Sequence, residues 1–182
     1  MLKNWLVVPT RLPLVRRRCH VCASERFRAS GKFRVNANHK VIDAWLLLLC
    51  TECGDTVKLT VLDRVNVRSV RPDFLDRLHV NDRGLVAELL QDPVLQHRNR
   101  VTLDWDGAWR LDTGGPVDLE HEVIDVSVRF AARVPVRPVR LIADGCGVAR
   151  GEVERWLVEG KLVSAVRLGG KLSGDFTFTL KR

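Results

Sequence analysis

No stretch of this chain approaches the ~20 consecutive apolar residues that a helix needs to cross a bilayer. The longest strongly apolar run, Ala44 to Leu49, has the length of a buried strand. Before Pro9 the start of the chain offers only Lys3 and then Trp5-Leu6-Val7-Val8, too short for a secretory signal. There is no internal repeat and no low-complexity tract. A hydrophobic fraction of 46% with 29% charged residues over 182 positions describes an ordinary globular chain of one domain or two small ones. A cytoplasmic protein without a membrane partner is the expectation. Signatures of catalysis are missing as well. His79, His97 and His121 are scattered at no catalytic spacing. Gly31-Lys32 lacks the upstream glycine of a phosphate loop and runs into Phe33. Cys146, between two glycines, has no base partner and reads as a small apolar residue at a turn. Asp104, Asp106, Asp112, Asp118, Glu120 and Glu122 surround turn signals. Solvated loops explain them more simply than a magnesium site or an acid–base pair. No small-molecule substrate is inferred.

What is present is more specific. Cys19-His20-Val21-Cys22 and Cys50-Thr51-Glu52-Cys53 form two CxxC pairs with 27 residues between them. Two tight knuckles brought together by a hairpin supply the four thiolates of a tetrahedral Zn²⁺ site. A redox dithiol, two disulfides and buried free thiols are the rival readings. Reduced, metal-binding thiols suit the cytoplasm. Cys19, Cys22, Cys50 and Cys53 are therefore the expected ligands of a structural zinc. A shell filled by four thiolates leaves no position for a water nucleophile. His20 could replace one cysteine, but its adjacency to Cys19 makes joint chelation awkward.

Lysine is scarce, with 7 against 23 arginines, and the net charge of +8 is unevenly spread. Residues 1–53 carry +7, residues 54–132 carry −4 and residues 133–182 carry +5. A polyanion such as RNA would meet two separate basic regions, whereas a solvated, charge-mixed surface is the plainer alternative. Arg26, Arg28, Lys32, Arg34 and Lys40 interleave with Phe27 and Phe33 between the knuckles. Cations that hold phosphates beside rings that stack bases suit looped RNA, unless both rings belong to the core. Arg16-Arg17-Arg18 could bind a ligand or stabilise the anionic metal site beside them.

The pattern of elements predicts an α+β chain. Extended segments over residues 4–18, a strand at Phe33–Val35, a second from Val41 to Leu49 and a third from Thr56 to Leu62 make a β-rich zinc ribbon at residues 1–70. Residues 71–134 form a small helical and β middle. Its helices start at Pro72 and, with Asn81 as cap, around Leu85 to Leu90, with a short one at Val94–His97. A hairpin over Val101–Leu111 turns at Asp106-Gly107, and a strand runs over Glu122–Val134. Val134-Pro135-Val136-Arg137-Pro138 reads as a linker. Residues 135–182 then give a short helix ending at Asp144-Gly145, a helix over Arg150–Glu159 closed by Gly160, and strands at Lys161–Val163 and Phe176–Leu180.

This last segment, through Leu-Ile-Ala-Asp-Gly-Cys-Gly-Val-Ala-Arg-Gly-Glu-Val (141–153), Glu-Gly-Lys-Leu-Val (159–163) and Lys-Leu-Ser-Gly-Asp-Phe (171–176), resembles the S4 RNA-binding fold of ribosomal protein S4, pseudouridine synthases and ribosome-rescue factors. Ala149-Arg150 stands where that family opens its second helix with Ser-Arg, and Gly160-Lys161 where it closes it. Val139 replaces the usual Asp, and the Asn-Gly turn after the first strand is missing. The resemblance implies an S4-like α/β module whose Arg137, Arg140, Arg150, Arg155 and Lys161, with Lys171, face RNA. Independently, Arg150 opens a helix, where backbone N–H groups favour a phosphate. The N-terminal part, through Ser30-Gly31-Lys32-Phe33-Arg34-Val35-Asn36-Ala37-Asn38 between the knuckles, resembles an uncharacterised bacterial family with no established activity. The expected function is non-catalytic binding of structured RNA, ribosomal RNA or tRNA on the ribosome. A zinc-ribbon adaptor that binds protein in transcription or translation, or an RNA-modifying enzyme with an S4-like handle, would be the alternatives.

Overall fold

The structure, a computed structural model, describes residues 1–117 and 119–181. In chain order its elements are β1 (Leu2–Pro9), β2 (Leu14–Arg16), β3 (Arg26–Asn38), β4 (Val41–Cys50), β5 (Thr56–Asn66), α1 (Pro72–His79), α2 (Arg83–Gln91), α3 (Pro93–Asn99), β6 (Thr102–Asp104), β7 (Trp109–Asp112), β8 (Val123–Phe130), α4 (Pro138–Cys146), α5 (Arg150–Val158), β9 (Leu162–Ser164) and β10 (Phe176–Lys181). The fold is mixed α+β, as expected. In place of three consecutive modules, the chain forms two compact units, Leu12–Asp104 and a second made of Met1–Arg11 with Trp105–Arg182.

The unit spanning Leu12–Asp104 is built on an antiparallel sheet in the order β5-β4-β3-β2-β6. On β4 strict alternation buries Ile42, Ala44, Leu46, Leu48 and Cys50 and leaves the residues between them half-buried. The buried side packs on Leu78 of α1, Leu85, Val86 and Leu90 of α2, and Leu95 of α3. Pro72 opens α1 as read from the sequence. The cap of α2, however, is Asp82, whose carboxylate accepts the Leu85 N–H at 2.7 Å. Asn81 instead takes a left-handed φ of 55° and accepts the Phe33 N–H at 2.7 Å, tying the α1–α2 turn to β3. Both Asn and Asp favour such termini, and only the turn geometry separates their roles.

The other unit is a sheet in the order β7-β1-β8-β10-β9, with α4 and α5 lying between β8 and β9 in the chain. β1 pairs in parallel with β8 and antiparallel with β7, so the first strand belongs with residues 109–130 and not with the cysteine-bearing segment. Trp5 and Val7, alternate residues of β1, are fully buried, and Trp5 meets Phe178 edge-on at 5.4 Å. Gly145 lies against this indole. A Cβ there would stand 2.4 Å from a Trp5 ring carbon, so the close approach of α4 to β1 requires glycine. The helix runs past Gly145 to Cys146, because Gly147 with φ 67° supplies the left-handed cap.

Two further expectations are corrected. The Asp106-Gly107 turn forms, with the Ala108 N–H donating to the Trp105 carbonyl at 3.0 Å, but its arms do not pair with each other. β6 joins β2 and β7 joins β1, so no hairpin spans Val101–Leu111 and the chain passes here from one unit to the other. Val134-Pro135-Val136-Arg137-Pro138 is no linker either. Val134, Val136 and Pro138 are buried, and Val136 exchanges backbone hydrogen bonds with Leu172 at 2.8 Å. Alternating valines between prolines satisfy a sheet margin as well as an extended connection.

Candidate metal centre and basic cleft

The two CxxC pairs meet at one end of the antiparallel sheet. The knuckle after β2 is closed by the Cys19 N–H donating to Ser24 at 2.7 Å, and the one after β4 by the Cys50 N–H donating to Asp55 at 2.8 Å. Ala23 and Gly54 follow the second cysteine of each pair with φ of 61° and 74°, and these left-handed residues turn the chain back. Sγ of Cys19 lies 3.7 Å from that of Cys53, Sγ of Cys22 lies 3.5 Å from that of Cys50, and all four sulfurs fall within 4.8 Å of one another. A tetrahedral ion with metal–sulfur bonds of about 2.3 Å needs edges of about 3.8 Å, so the cluster could hold a metal ion.

Electrostatics point the same way. The Cys53 N–H, opposed by burial and aided by the Glu52 N–H, lowers the Cys50 thiol to about 6. At Cys53 the Asp55 N–H favours the thiolate, but burial and the thiols of Cys22, Cys50 and Cys19 outweigh it and push the group up to about 12. Cys22 is likewise raised, since burial and Cys50 overcome the Ser24 N–H. One thiolate forms easily and its neighbours resist adding like charge, a conflict that a bound cation resolves. His20 is exposed within its knuckle and stands outside the four-sulfur set.

The flanking arginines have separate tasks. Arg16 reaches Asp104 at 3.2 Å and Arg26 reaches it at 3.8 Å, while Arg17 donates to the Lys58 carbonyl at 3.4 Å. Asp104 is thus no solvated loop residue. It is 8% exposed at the edge strand β6, and the two guanidinium groups offset the burial of its carboxylate. Burial pushes the Cys146 thiol up to about 11, which favours its protonated form. Asp118 lies outside the described residues.

In the other unit, Arg137, Arg140, Arg150 and Lys171 line one cleft of about 500 Å³, together with Val139, Glu154, Leu168, Gly169 and Gly170. The helices α4 and α5 both begin at this cleft, capped by Arg137 and Ala149 without a side-chain hydrogen bond, so the free N–H groups of two first turns add to its positive field. Arg150 is held by Glu154 at 2.8 Å and Arg140 stands 4.0 Å from Asp144, whereas Arg137 and Lys171 make no ion pair among the described residues. An adjoining cleft of about 780 Å³ shares Arg137, Arg140 and Lys171 and adds Trp109, Arg110 and Asp144. Arg155 and Lys161 line neither cleft. Arg155 pairs with Glu152, and Lys161 pairs with Glu159 at 2.9 Å. Gly169, Gly170 and Trp109 were not expected here. The signal in the sequence is the glycine pair ahead of Lys171, where Gly170 takes a left-handed φ of 87° and turns the chain.

On β3, Arg26, Arg28, Lys32 and Arg34 are exposed, as is Lys40 in the turn beyond, but the two phenylalanines do not accompany them. Phe27 is fully buried and Phe33 packs against the core beside it. Period-two alternation sends the rings and the cations to opposite faces of the strand.

The chain belongs to a family described as a protein of unknown function (DUF1062), whose match covers residues 35–168. That span includes Cys50, Cys53, Arg137, Arg140 and Arg150 and leaves Cys19, Cys22 and Lys171 outside it. No curated protein and no solved structure matches the chain. Among the described residues, no helix is long and apolar enough to cross a membrane.

Proposed function

We propose that this protein is a non-catalytic, cytoplasmic RNA-binding protein that docks on structured RNA, ribosomal RNA or tRNA, through the cleft of Arg137, Arg140, Arg150 and Lys171. The convergence of these four cations on one concavity carries the reading. Among the described residues Arg137 and Lys171 have no ion-pair partner to give up on binding, and residues at the starts of two helices line the same cleft. Structured RNA is read mainly through its backbone and shape, which suits a site made of guanidinium and ammonium groups. The S4 resemblance supports the same reading. The order α4, α5, β9, β10 is that of the resembled segment, although β10 here also joins β8 in a larger sheet.

Zinc is the ion we assign to Cys19, Cys22, Cys50 and Cys53. Four thiolates close its shell, so its part is to cross-link the two knuckles and hold the cations of β3 in place as a second contact. Two modest contacts on one chain gain from effective concentration. The test is a charge-reversed Arg137→Glu/Arg150→Glu variant measured for RNA retention over a salt series. Affinity for a folded RNA should fall by at least tenfold, with a shallower dependence on salt as about two phosphate contacts are lost. Retention equal to the unaltered protein would remove the cleft from the reading.

A further inference from the structure

The sheet of the Leu12–Asp104 unit has a second face. The helices α1, α2 and α3 cover the side on which Ala44, Leu46 and Leu48 are buried. The opposite side of β4 presents Trp45, Leu47 and Leu49, all half-buried. Register fixes their neighbours. Arg34 on β3 stands opposite Trp45 and Arg28 opposite Leu49. On β5, Lys58 stands opposite Leu47, and its ammonium lies 4.5 Å from the centre of the Trp45 ring. Directly opposed side chains on a sheet are about 5 Å apart, so an apolar spine is edged by exposed cations on both sides. Of the carboxylates on this side, Asp104 lies at the β2–β6 edge, taken up by Arg16 and Arg26, and Asp43, beyond Trp45, accepts the Arg64 N–H at 2.7 Å. With Phe27 and Phe33 turned to the core, Trp45 is the ring that shares a face with the cations.

The geometry points to a binding face for single-stranded RNA, with an unpaired base stacked on Trp45 and the backbone phosphates held by Arg28, Arg34 and Lys58. The charge selects a polyanion over a membrane or an apolar helix. Lys58 already shows that a cation can rest over the ring, and it is exposed and long enough to exchange that contact for a phosphate. Stacking on an aromatic platform accepts any base, and a flat sheet face admits a splayed strand while a stacked duplex keeps its bases inside. The inference deepens the RNA-binding reading but uses a face separate in composition from the Arg137 cleft.

The test is fluorescence anisotropy of the full chain, metal-loaded, with a labelled oligouridylate and, separately, a labelled RNA duplex. The Trp45→Ala change should weaken oligouridylate binding about tenfold, the usual loss for one stacked base, and leave the duplex unaffected. Trp45→Phe should recover most of the loss, and Arg34→Glu, at an exposed position, should weaken the single strand and lower its salt slope by about one. If Trp45→Ala is not folded by circular dichroism, Arg34→Glu decides alone. An unaltered protein that ignores oligouridylate, or folded Trp45→Ala or Arg34→Glu variants that bind it as well as the unaltered chain does, would overturn the inference. The Arg137→Glu/Arg150→Glu variant separates the two sites. Loss of duplex with oligouridylate retained keeps this face, and loss of oligouridylate to the same degree as duplex assigns both to the cleft and overturns it.

Discussion

The two units reach order by different means. The Leu12–Asp104 unit is contiguous in sequence, every strand pair in it is antiparallel, and its open end is gathered by four cysteines. The other unit joins both ends of the chain, includes a parallel pair between β1 and β8, and is centred on the Trp5 indole held against Gly145 and Phe178. One gathers four sulfurs that could hold a metal ion, the other fits an indole closely against a glycine. The contrast shows where each can be broken without touching the other.

Metal removal should have the largest effect. Structural zinc contributes on the order of 10 kcal/mol of binding free energy in small domains. Chelation, or Cys50→Ser, should therefore lower or abolish one calorimetric transition and leave the second in place. Elemental analysis of the untreated chain should give about one zinc, and a metal-free chain with unchanged melting would remove the cross-link from the comparison. Gly145→Ala should act on the opposite unit. Its Cβ would fall 2.4 Å from the Trp5 ring, and overpacking of this kind costs about 1–3 kcal/mol. The zinc-dependent transition should not move, and Trp5→Phe should relieve part of the loss.

The smallest effect concerns acid. Hydrogen bonds from Arg77 hold Asp82 and Glu88 below the usual carboxylate range, with the Leu85 N–H adding to the effect at Asp82. A depressed folded-state pKa gives stability that is complete above the unfolded value and is lost as pH falls through the folded one. The Leu12–Asp104 transition should soften below about pH 4, and Asp82→Asn should reduce that dependence while retaining a helix cap. A melting temperature with the same acid dependence in both proteins would exclude this pair as its source.

Legibility in the sequence followed distance along the chain. The cysteine pairs declared themselves because each knuckle is local, and the structure brings their sulfurs together. The helices α4 and α5 and the strands β9 and β10 fall close to their expected bounds for the same reason. The partner of β1 could not be read, since Leu2 pairs with Asp125 across more than half the chain and a run of Trp, Leu and Val fits any sheet. The same limit produced the hairpin over Val101–Leu111. Turn chemistry fixes that the chain bends at Gly107, not which strands its arms will join. Phe27 and Phe33 left two readings open, and the structure takes the one that puts both rings in the core. Their spacing with arginines looked like one mixed surface until the pleat divided it, and Trp45, hidden in an apolar run, came out on the cation side.

The position of β1 between β7 and β8 has a consequence for synthesis. β1 is made well before residues 109–130 and must wait for them before either neighbour exists. Meanwhile the Leu12–Asp104 unit, complete at Asp104, can already close behind it. A segment made early is thus among the last to find its place, and its Trp5, Val7 and Leu6 are what a chaperone would meet in the interval.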